Sequence, residues 1–254
     1  MSGRLAVIGL GPGDDRYLTR DAADALEAAD ALYGYGPYLD RVPMRPGQTR
    51  HASDNREECA RAESALRHAA EGASVALVSG GDPGVFAMAA SVCEAIETGP
   101  DPRRALELAI VPGITAMLLV AARAGAPLGH DFCALSLSDN LKPWELIERR
   151  LDAAAGAGLV IALYNPVSRA RPWQLAKAFR LLGRHLPGGT PVIFGRAVGR
   201  ADESVTVTTL AAAGETAVDM ATLIIVGSAN TRLIARPGQS PLVYTPRAVE
   251  GVSA

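Results

Sequence analysis

Lysine and cysteine are both scarce in this chain of 254 residues. Only Lys142 and Lys177 stand against 23 arginines, a bias that codon usage explains in the main. A second explanation is that the planar fork of arginine suits recognition of carboxylates. The three cysteines, Cys59, Cys93 and Cys133, lie far apart and form no Cys-x-x-Cys pair. This predicts a reducing, cytoplasmic setting and argues against a zinc or iron–sulfur centre.

Other features that the sequence lacks narrow the class of protein. No apolar run reaches the roughly 18 residues of a membrane span. The N-terminus passes directly into a strand pattern rather than a signal peptide. The net charge of -2 gives no basic field for nucleic acid. The four histidines show no helical ligand spacing, so we expect no metal site. A phosphate-binding Gly-x-x-x-x-Gly-Lys motif and a Gly-x-Ser-x-Gly nucleophile elbow are both missing.

The stretch from residue 75 to residue 86 reads as a strand, an open glycine loop, a carboxylate and a helix. Residues 75–78 form a short apolar run, which is typical of a strand buried on both faces. Gly80 and Gly81 follow, then Asp82, and we expect a helix over residues 85–97. Parallel sheets bind ligands beyond the carboxyl ends of their strands. The alternative is that Asp82 only caps that helix.

Two more stretches repeat this plan. Residues 5–8 form a strand pattern before Gly9-Leu-Gly-Pro-Gly13, and residues 107–111 form another before Pro112 and Gly113. Helices are predicted over residues 19–29 and 115–124. The first loop has Gly-x-Gly-x-Gly spacing rather than the Gly-x-Gly-x-x-Gly of dinucleotide sites, and Pro12 removes an N–H that a pyrophosphate needs. These loops favour a ligand without phosphate.

We place the domain boundary in the glycine- and proline-rich segment at 125–129. Residues 1–124 are then an N-terminal α/β domain with a mostly parallel sheet, and residues 130–254 a C-terminal α/β domain. Strands of the second half are predicted at 132–137, 159–164, 191–194, 204–208 and 222–226. They are rich in β-branched residues and few helices separate the last three, so we expect a mixed sheet. Residues 33–40, which hold three tyrosines, are interpreted as a loop that either stacks on a flat substrate or is plain surface.

Four motifs of the chain resemble those of the tetrapyrrole methylase family, enzymes that use S-adenosylmethionine. They are Gly9-Leu-Gly-Pro-Gly13, Gly81-Asp-Pro-Gly-Val-Phe86, Val111-Pro-Gly-Ile-Thr-Ala116 and Ile224-Ile-Val-Gly227. A second set resembles the branch of the family that methylates C17 of precorrins. It comprises Ser53-Asp-Asn-Arg-Glu57, Ala126-Pro-Leu-Gly-His-Asp-Phe-Cys133, Ser136-Leu-Ser-Asp139, Leu141-Lys-Pro-Trp144 and Ala162-Leu-Tyr-Asn-Pro166. The resemblance runs from about Leu5 to Val243, and Gly80 stands where we expect serine.

The resemblance implies a homodimer of two-domain α/β chains, with S-adenosyl-L-methionine folded into the cleft between the domains. The cofactor-binding residues that it implies are Pro12, Gly81, Asp82, Val85, Phe86, Thr115, Ala116, Tyr164, Asn165, Ala197 and Thr222. The implied reaction is methylation of precorrin-3B at C17 with contraction of the macrocycle to precorrin-4, a step of cobalamin biosynthesis. We expect Asp139, Lys142, His130 and Tyr164 to be catalytic, and we expect Arg41, Arg45, Arg56 and Arg196 to receive substrate carboxylates.

Several alternatives stay open at this point. The substrate could carry cobalt, because the motifs do not separate the two versions of the reaction. Another precorrin methylase, or diphthine synthase, is a second alternative within the same superfamily. A nicotinamide-dependent oxidoreductase is a third, although the fingerprint spacing is wrong for it. Open loops broken by glycine or proline follow four predicted strands, after Ile8, Val78, Val111 and Tyr164, and a non-catalytic binding module fits them poorly. Each candidate catalytic side chain also has an ordinary structural interpretation as a cap, a solvated charge or a linker contact.

Overall fold

The computed structural model describes residues 3–54, 56–168 and 170–248. The chain forms two compact units, Met1–Thr115 and Ala116–Ala254. The sequence predicts a helix that starts after Ser53, runs to about Glu71 and is capped by Asp54 or Asn55. Asn55 lies outside the described residues, and so does the end of the C-terminal tail.

The first unit is an alternation of strands and helices. In chain order these are β1 (Arg4–Gly9), α1 (Arg20–Glu27), β2 (Ala31–Tyr35), α2 (Gly36–Leu39), β3 (Thr49–Ser53), α3 (Glu58–Ala70), β4 (Ser74–Ser79), α4 (Met88–Thr98) and β5 (Glu107–Val111). The five strands make one sheet in the order β3-β2-β4-β1-β5, and every pairing is parallel.

Helices cover both faces of this sheet, as parallel sheets require. One apolar cluster joins Leu5 and Leu77 of the strands to Leu66 of α3 and Val92 of α4. The opposite cluster packs the other strand face, including Ile8, against α1 and α2. Alternate residues of each strand therefore enter different cores, which explains the unbroken apolar runs in the sequence.

Two strands of the first unit, β2 and β3, are absent from the predicted elements. Tyr33 is a buried residue of β2 and stacks on His51 with ring centroids 4.3 Å apart, so it is not plain surface. A Cβ on Gly34 would lie 2.5 Å from Cγ2 of Val78, and hence this strand needs a glycine in its interior. The loop-like composition of the segment comes from that close approach.

The second unit begins with a helix and carries two sheets. Its elements are α5 (Ala116–Ala124), β6 (Gly125–Ala126), β7 (Phe132–Ser136), α6 (Trp144–Gly156), β8 (Val160–Tyr164), α7 (Gln174–Leu182), β9 (Pro191–Arg196), β10 (Ser204–Thr209), β11 (Thr222–Val226), β12 (Arg232–Ile234) and β13 (Leu242–Tyr244). The larger sheet has the order β10-β9-β11-β8-β7, in which only β7 and β8 pair in parallel. The smaller sheet has the order β12-β13-β6.

The core of the second unit lies where α6 and α7 pack on the larger sheet. Ile147, Leu151 and Leu182 of the helices meet Leu163 and Ile224 of the strands. Helix α5 packs against β9, β10 and β11. It approaches so closely that a Cβ on residue 195, a glycine of β9, would collide with the side chain of Val120.

The predicted fold class is confirmed: a parallel N-terminal sheet is followed by a mixed C-terminal sheet. The point of division differs from the predicted one. The compact units divide before α5, because that helix packs on strands of the second unit. The segment predicted as a linker at 125–129 contains β6, whose two residues pair with β13.

Candidate functional site

The glycine loops of the first unit meet at one edge of its sheet. Strands β4, β1 and β5 are neighbours and parallel, so their carboxyl ends and the loops that follow lie side by side. Gly11 and Gly81 exchange backbone hydrogen bonds of 3.1 and 3.0 Å, which joins the loop after β1 to the loop after β4. The Thr19 hydroxyl caps α1 and donates to the carbonyl of Pro112 at 3.2 Å, which ties in the loop after β5.

Three glycines let these loops pack backbone against backbone. A Cβ on Gly9 would lie 2.7 Å from the carbonyl oxygen of Gly81 and from the backbone nitrogen of Gly113. A Cβ on Gly113 would collide with the same carbonyl oxygen. Real Cβ atoms do not approach so closely, and the loops can therefore meet only through glycine.

Asp82 ties the second loop to the third. Its Oδ1 accepts a hydrogen bond from the backbone N–H of Gly84 at 2.8 Å, and its Oδ2 accepts one from Gly113 at 3.0 Å. Helix α4 starts only at Met88 and has no side-chain cap, so the alternative that Asp82 caps it is wrong. A carboxylate has about four lone-pair positions. Asp82 thus keeps acceptor capacity after organising the loops.

Arg41 donates hydrogen bonds to the backbone of the loop after β1. One of its terminal nitrogens donates to the carbonyls of Leu10, Gly11 and Gly13 at 2.7, 3.0 and 2.6 Å. These acceptors are protein backbone, and the guanidinium orders the loop. Sequence reasoning assigned Arg41 to substrate carboxylates and missed this structural role.

Two of the other three arginines proposed for substrate also have protein partners. Arg45 donates to the carbonyl of Glu27. Arg196 bridges Asp202 and Asp219 at 2.9 and 2.8 Å, and these hydrogen bonds raise the pKa of its guanidinium. Arg56 is exposed in a turn before α3.

The remaining candidates of the first unit lie in the same loops. Pro12 is half-buried in the loop after β1, and Val85 is half-buried before α4. Thr115 is buried after β5. Ala116 is the first residue of α5 and belongs to the second unit.

Phe86, Asn165 and Ala197 are the three non-glycine residues, among those the structure describes, with positive φ, at 53°, 51° and 48°. All three are among the predicted cofactor-binding residues. This backbone conformation costs roughly 1–2 kcal/mol per L-residue, and such strain collects at ligand sites. The conformation of Phe86 also explains why α4 starts three residues later than predicted.

The candidates of the second unit share one edge of its larger sheet. Strands β7, β8 and β9 end there and β11 starts there, as the register pairs Ser136 with Tyr164 and Thr222 with Arg196. The Asn165 amide donates to the hydroxyl of Ser136 at 2.9 Å. The Tyr164 hydroxyl accepts from the backbone N–H of Met117 at 3.2 Å.

Asp139 is part of a side-chain network at this edge. Its Oδ1 accepts from Arg171 at 2.7 Å and from Gln174 at 3.3 Å, and Arg171 also donates to the Ser138 hydroxyl at 3.0 Å. The hydrogen bond from Arg171 holds the pKa of Asp139 below its usual range, so the carboxylate stays charged. Helix α6 has no side-chain cap, which shows that Asp139 does not cap it.

Lys142 and His130 lie apart from this network. Burial lowers the pKa of Lys142, and the charge of Arg150 lowers it further. This is the direction that makes an ammonium group a better proton donor near neutral pH. His130 is half-buried between β6 and β7, and no hydrogen bond between described residues joins it to Asp139 or Lys142.

Ala197 and Thr222 lie close together at the other end of the edge. The backbone N–H of Ala197 donates to the carbonyl of Ala221 at 3.0 Å. The hydroxyl of Thr222 donates to Oδ1 of Asp219 at 2.8 Å and accepts from the Asp219 backbone N–H at 3.1 Å. Thr222 thus uses its hydroxyl to close a turn.

The structure adds side chains that sequence reasoning missed. Arg171 and Gln174 follow the Tyr-Asn-Pro motif by several residues. Their common signal is a polar residue near a motif. That signal is too weak to separate them from the exposed arginines around them.

Among the residues that the structure describes, no group of three or more His, Cys, Asp or Glu side chains is arranged to hold a metal ion. No helix among residues 3–54, 56–168 and 170–248 combines the length and apolar character needed to cross a bilayer.

This chain belongs to the tetrapyrrole (corrin/porphyrin) methylases, whose family model matches residues 4–214. The membership confirms the resemblance seen in the motifs, and it makes the chain a methyltransferase rather than an oxidoreductase.

Individual relatives narrow the comparison. A precorrin-3B C(17)-methyltransferase from Sinorhizobium sp is 61% identical over 253 residues, with all of both chains covered. The crystal structure of the methyltransferase CobJ is 46% identical and superimposes with a TM-score of 0.89, over 96% of this chain and 100% of that one. A uroporphyrin-III C-methyl transferase from Thermus thermophilus, complexed with S-adenyl homocysteine, is 25% identical with a TM-score of 0.67, over 89% of this chain and 97% of that one.

Proposed function

We propose that this protein methylates precorrin-3B at C17 and contracts the macrocycle to precorrin-4, in the biosynthesis of cobalamin. The observation that carries the proposal is the relative from Sinorhizobium, which bears that activity in its name and matches this chain along its whole length at 61% identity. The motifs that single out the C17 branch, at residues 130–131, 142–144 and 164–166, lie in the second unit, so the proposal does not depend on the glycine loops alone.

The loops of the first unit fit S-adenosyl-L-methionine. They offer backbone made accessible by glycine, the strained and half-exposed Phe86, and a carboxylate with free acceptor positions at Asp82. No lysine or arginine occurs within residues 9–13, 80–86 or 112–115, which suits a sulfonium ligand better than a phosphate. When bound, this cofactor supplies a methyl group that is already activated by positively charged sulfur.

We assign binding of the cofactor to residues of both units. In the first unit these are Pro12, Gly81, Asp82, Val85, Phe86 and Thr115. In the second unit they are Ala116, Tyr164, Asn165, Ala197 and Thr222. The main task of these residues is alignment, which can lower a barrier by roughly 7–11 kcal/mol when the reacting atoms are well oriented.

Ring contraction needs proton transfer as well as alignment. Lys142 is suited to move a proton, since burial lowers its pKa. Asp139 is suited to stay negative and fix the position of Arg171, as the ion pair lowers its pKa. Tyr164 lends a hydroxyl at the end of β8, and His130 completes the catalytic candidates. We assign these roles as proposals, together with a homodimeric assembly.

The first experiment is a calorimetric titration with S-adenosylhomocysteine, using NAD as the control ligand. Micromolar binding of the former alone, weakened at least about tenfold in Asp82→Ala, is the expected result, because this change removes two backbone contacts of a charged acceptor. Tight binding of NAD without any response to S-adenosylhomocysteine would overturn the proposal.

A second experiment identifies the substrate. Precorrin-3B and cobalt-precorrin-3B are supplied in parallel arms with S-adenosylmethionine, and the products are analysed by mass spectrometry and absorption. We expect turnover in the metal-free arm, in keeping with the name of the Sinorhizobium relative. Turnover in the cobalt arm alone would show that the substrate is cobalt-precorrin-3B and not the metal-free compound. Methylation at a carbon other than C17 would overturn the assignment of the reaction.

A further inference from the structure

Arg61 is a buried cation without an ion-pair partner among the described residues. It lies on α3 and is only 4% exposed. Its Nε donates to the Ser53 hydroxyl at 2.7 Å, one terminal nitrogen donates to the carbonyl of Asp54, and the other contacts the sulfur of Met88 at 3.5 Å. A guanidinium carries five N–H donors, and a thioether is a weak acceptor. Two N–H groups of Arg61 are therefore not used by these three contacts.

A cavity of about 590 Å³ opens beside Arg61, between strand β3 and helix α3. Its polar lining includes donors from both elements: Arg61, Arg67, Ser53, Ser64, His51 and His68. Two carboxylates also line it. Glu57 accepts a hydrogen bond from the backbone N–H of Asp54 at 2.8 Å, and Glu71 lies beyond the last turn of α3. The end of the cavity at Arg61 thus combines a buried positive charge with hydroxyl donors.

This end of the cavity lies at the same edge of the sheet as the glycine loops. Ser53 is the last residue of β3, and in the strand order β3-β2-β4 it lies two strands away from the loop after β4. Strands are spaced by about 4.8 Å, which puts the two sites roughly 10 Å apart. Arg61 also contacts Met88, the first residue of α4, two positions after Phe86. The separation of roughly 10 Å between the two sites is on the scale of a macrocycle.

We propose that Arg61 anchors a peripheral carboxylate of the tetrapyrrole substrate in this cavity. The inference rests on the proposed function, because a substrate of this class carries carboxylate side chains around its ring. A carboxylate is the ligand that matches a guanidinium fork. The charges of Glu57, Glu58 and Asp54 act on Arg61 without a direct ion pair, and a substrate carboxylate would supply that direct partner. Burial lowers the pKa of Arg61, so the protein holds this charge at a desolvation cost.

The test compares Arg61→Met and Arg61→Lys with the wild type. Equilibrium binding of precorrin-3B without cofactor gives Kd, and steady-state methylation gives KM. We expect both constants to rise about ten- to a hundredfold in Arg61→Met, as a charge-assisted bond is lost. Arg61→Lys should fall between, since lysine keeps the charge but not the fork. Binding of S-adenosylhomocysteine should stay within about twofold of wild type.

A matched control separates a contact between Arg61 and the substrate from a purely structural role of the arginine. Arg103 is also a largely buried arginine of this unit, but it pairs with Glu63 of α3 and donates to the carbonyl of Ala95 at 3.1 Å. Arg103→Met should lower the thermal midpoint and leave the Kd for precorrin-3B unchanged. An equal change of Kd in both arginine variants would show that general loosening, and not a contact with substrate, explains the effect.

A second pair of variants leaves Arg61 and its hydrogen bonds intact. Ala60 is exposed on α3, lines the cavity and precedes Arg61. Ala60→Glu places a carboxylate where the substrate carboxylate is proposed, and it should raise the Kd about tenfold or more by like-charge contact. Ala60→Gln has the same shape without the charge and should change it little.

The outcomes distinguish this inference from the proposed function. If the wild type binds S-adenosylhomocysteine but neither binds nor methylates a precorrin, the proposed function fails and the substrate anchor falls with it. If the wild type is active while Arg61→Met and Ala60→Glu keep a wild-type Kd and KM, only the anchor is overturned.

Discussion

The candidate functional edges of the two units differ in what holds them together. In the first unit the loops meet through bare backbone, with Gly9, Gly81 and Gly113 in mutual contact and Asp82 bonded to two backbone N–H groups. In the second unit the edge is a network of side chains centred on Asp139 and Arg171. One edge depends on the absence of side chains and the other on their presence.

This difference bears on how each edge fails. Gly9 and Gly113 tolerate no side chain, because an added Cβ would collide with a neighbouring backbone. A network of side-chain hydrogen bonds can lose one member and keep the rest, at a cost of about 1–3 kcal/mol for a buried partner left unsatisfied. Substitutions should therefore act abruptly in the first unit and gradually in the second.

The largest effect is expected for Gly113→Ala. The added methyl group would collide with the carbonyl of Gly81 and separate the loops after β4 and β5. Binding of S-adenosylhomocysteine, measured by calorimetry, should weaken more than about a hundredfold, as three loops lose their common geometry. Gly189→Ala is the control, because a Cβ there meets nothing within 4 Å. Near-normal binding by Gly113→Ala would remove the contrast between the two edges.

A smaller, graded effect is expected in the second unit from Arg171→Met, Asp139→Asn and the double variant. Each single change should lower the free energy of unfolding by about 1–3 kcal/mol, because it leaves a partly buried partner unsatisfied. The double variant should lose less than the sum, with a coupling of about 0.5–3 kcal/mol. Urea denaturation of the four proteins measures the cycle. Additive losses would mean that the two side chains act independently and that the network is not a unit.

The same ion pair predicts a dependence on pH. The pKa of Asp139 is lowered by Arg171, so its stabilisation is complete above the unfolded value of about 4 and is lost as the pH falls through the lower folded value. The gap in unfolding free energy between wild type and Arg171→Met should be constant from pH 7 to about pH 5 and should narrow towards pH 2. Denaturation midpoints at several pH values measure this gap. A gap that widens in acid would contradict the assignment.

The backbone edge could be predicted from the sequence. For the other edge the sequence indicates Asp139, Tyr164 and Asn165 but not the network that joins Asp139 to Arg171. Glycine after an apolar run leaves a local signal, and Gly9, Gly81 and Gly113 all lie at the predicted edge of the sheet. Asp139 and Arg171 are 32 residues apart, and nothing in their spacing indicates an ion pair. Only the parallel pairing of β7 with β8 brings the following segments together.

Local patterns that differ from the fold have a related cause. Strand β2 holds Gly34 because Val78 packs directly over it, and so its composition resembles a loop. Arg61 occurs on an amphipathic helix, where an arginine usually faces solvent, yet it is buried against Ser53 and Met88. In both cases a contact from a distant part of the chain overrides the local pattern.

The smallest effect concerns strain at the edge of the second unit. Ala197 has φ of 48°, a conformation that glycine adopts without penalty. Relief of strain should offset the lost methyl burial and the added freedom of the unfolded chain, and Ala197→Gly should change the free energy of unfolding by less than about 1 kcal/mol. Ala153→Gly, on the exposed face of α6, should cost about 1 kcal/mol, as helix interiors disfavour glycine. Urea denaturation compares the two. If Ala197→Gly lowers the free energy of unfolding more than Ala153→Gly does, the left-handed backbone at Ala197 is not strained. The edge of the second unit would then differ from that of the first only in its side-chain contacts.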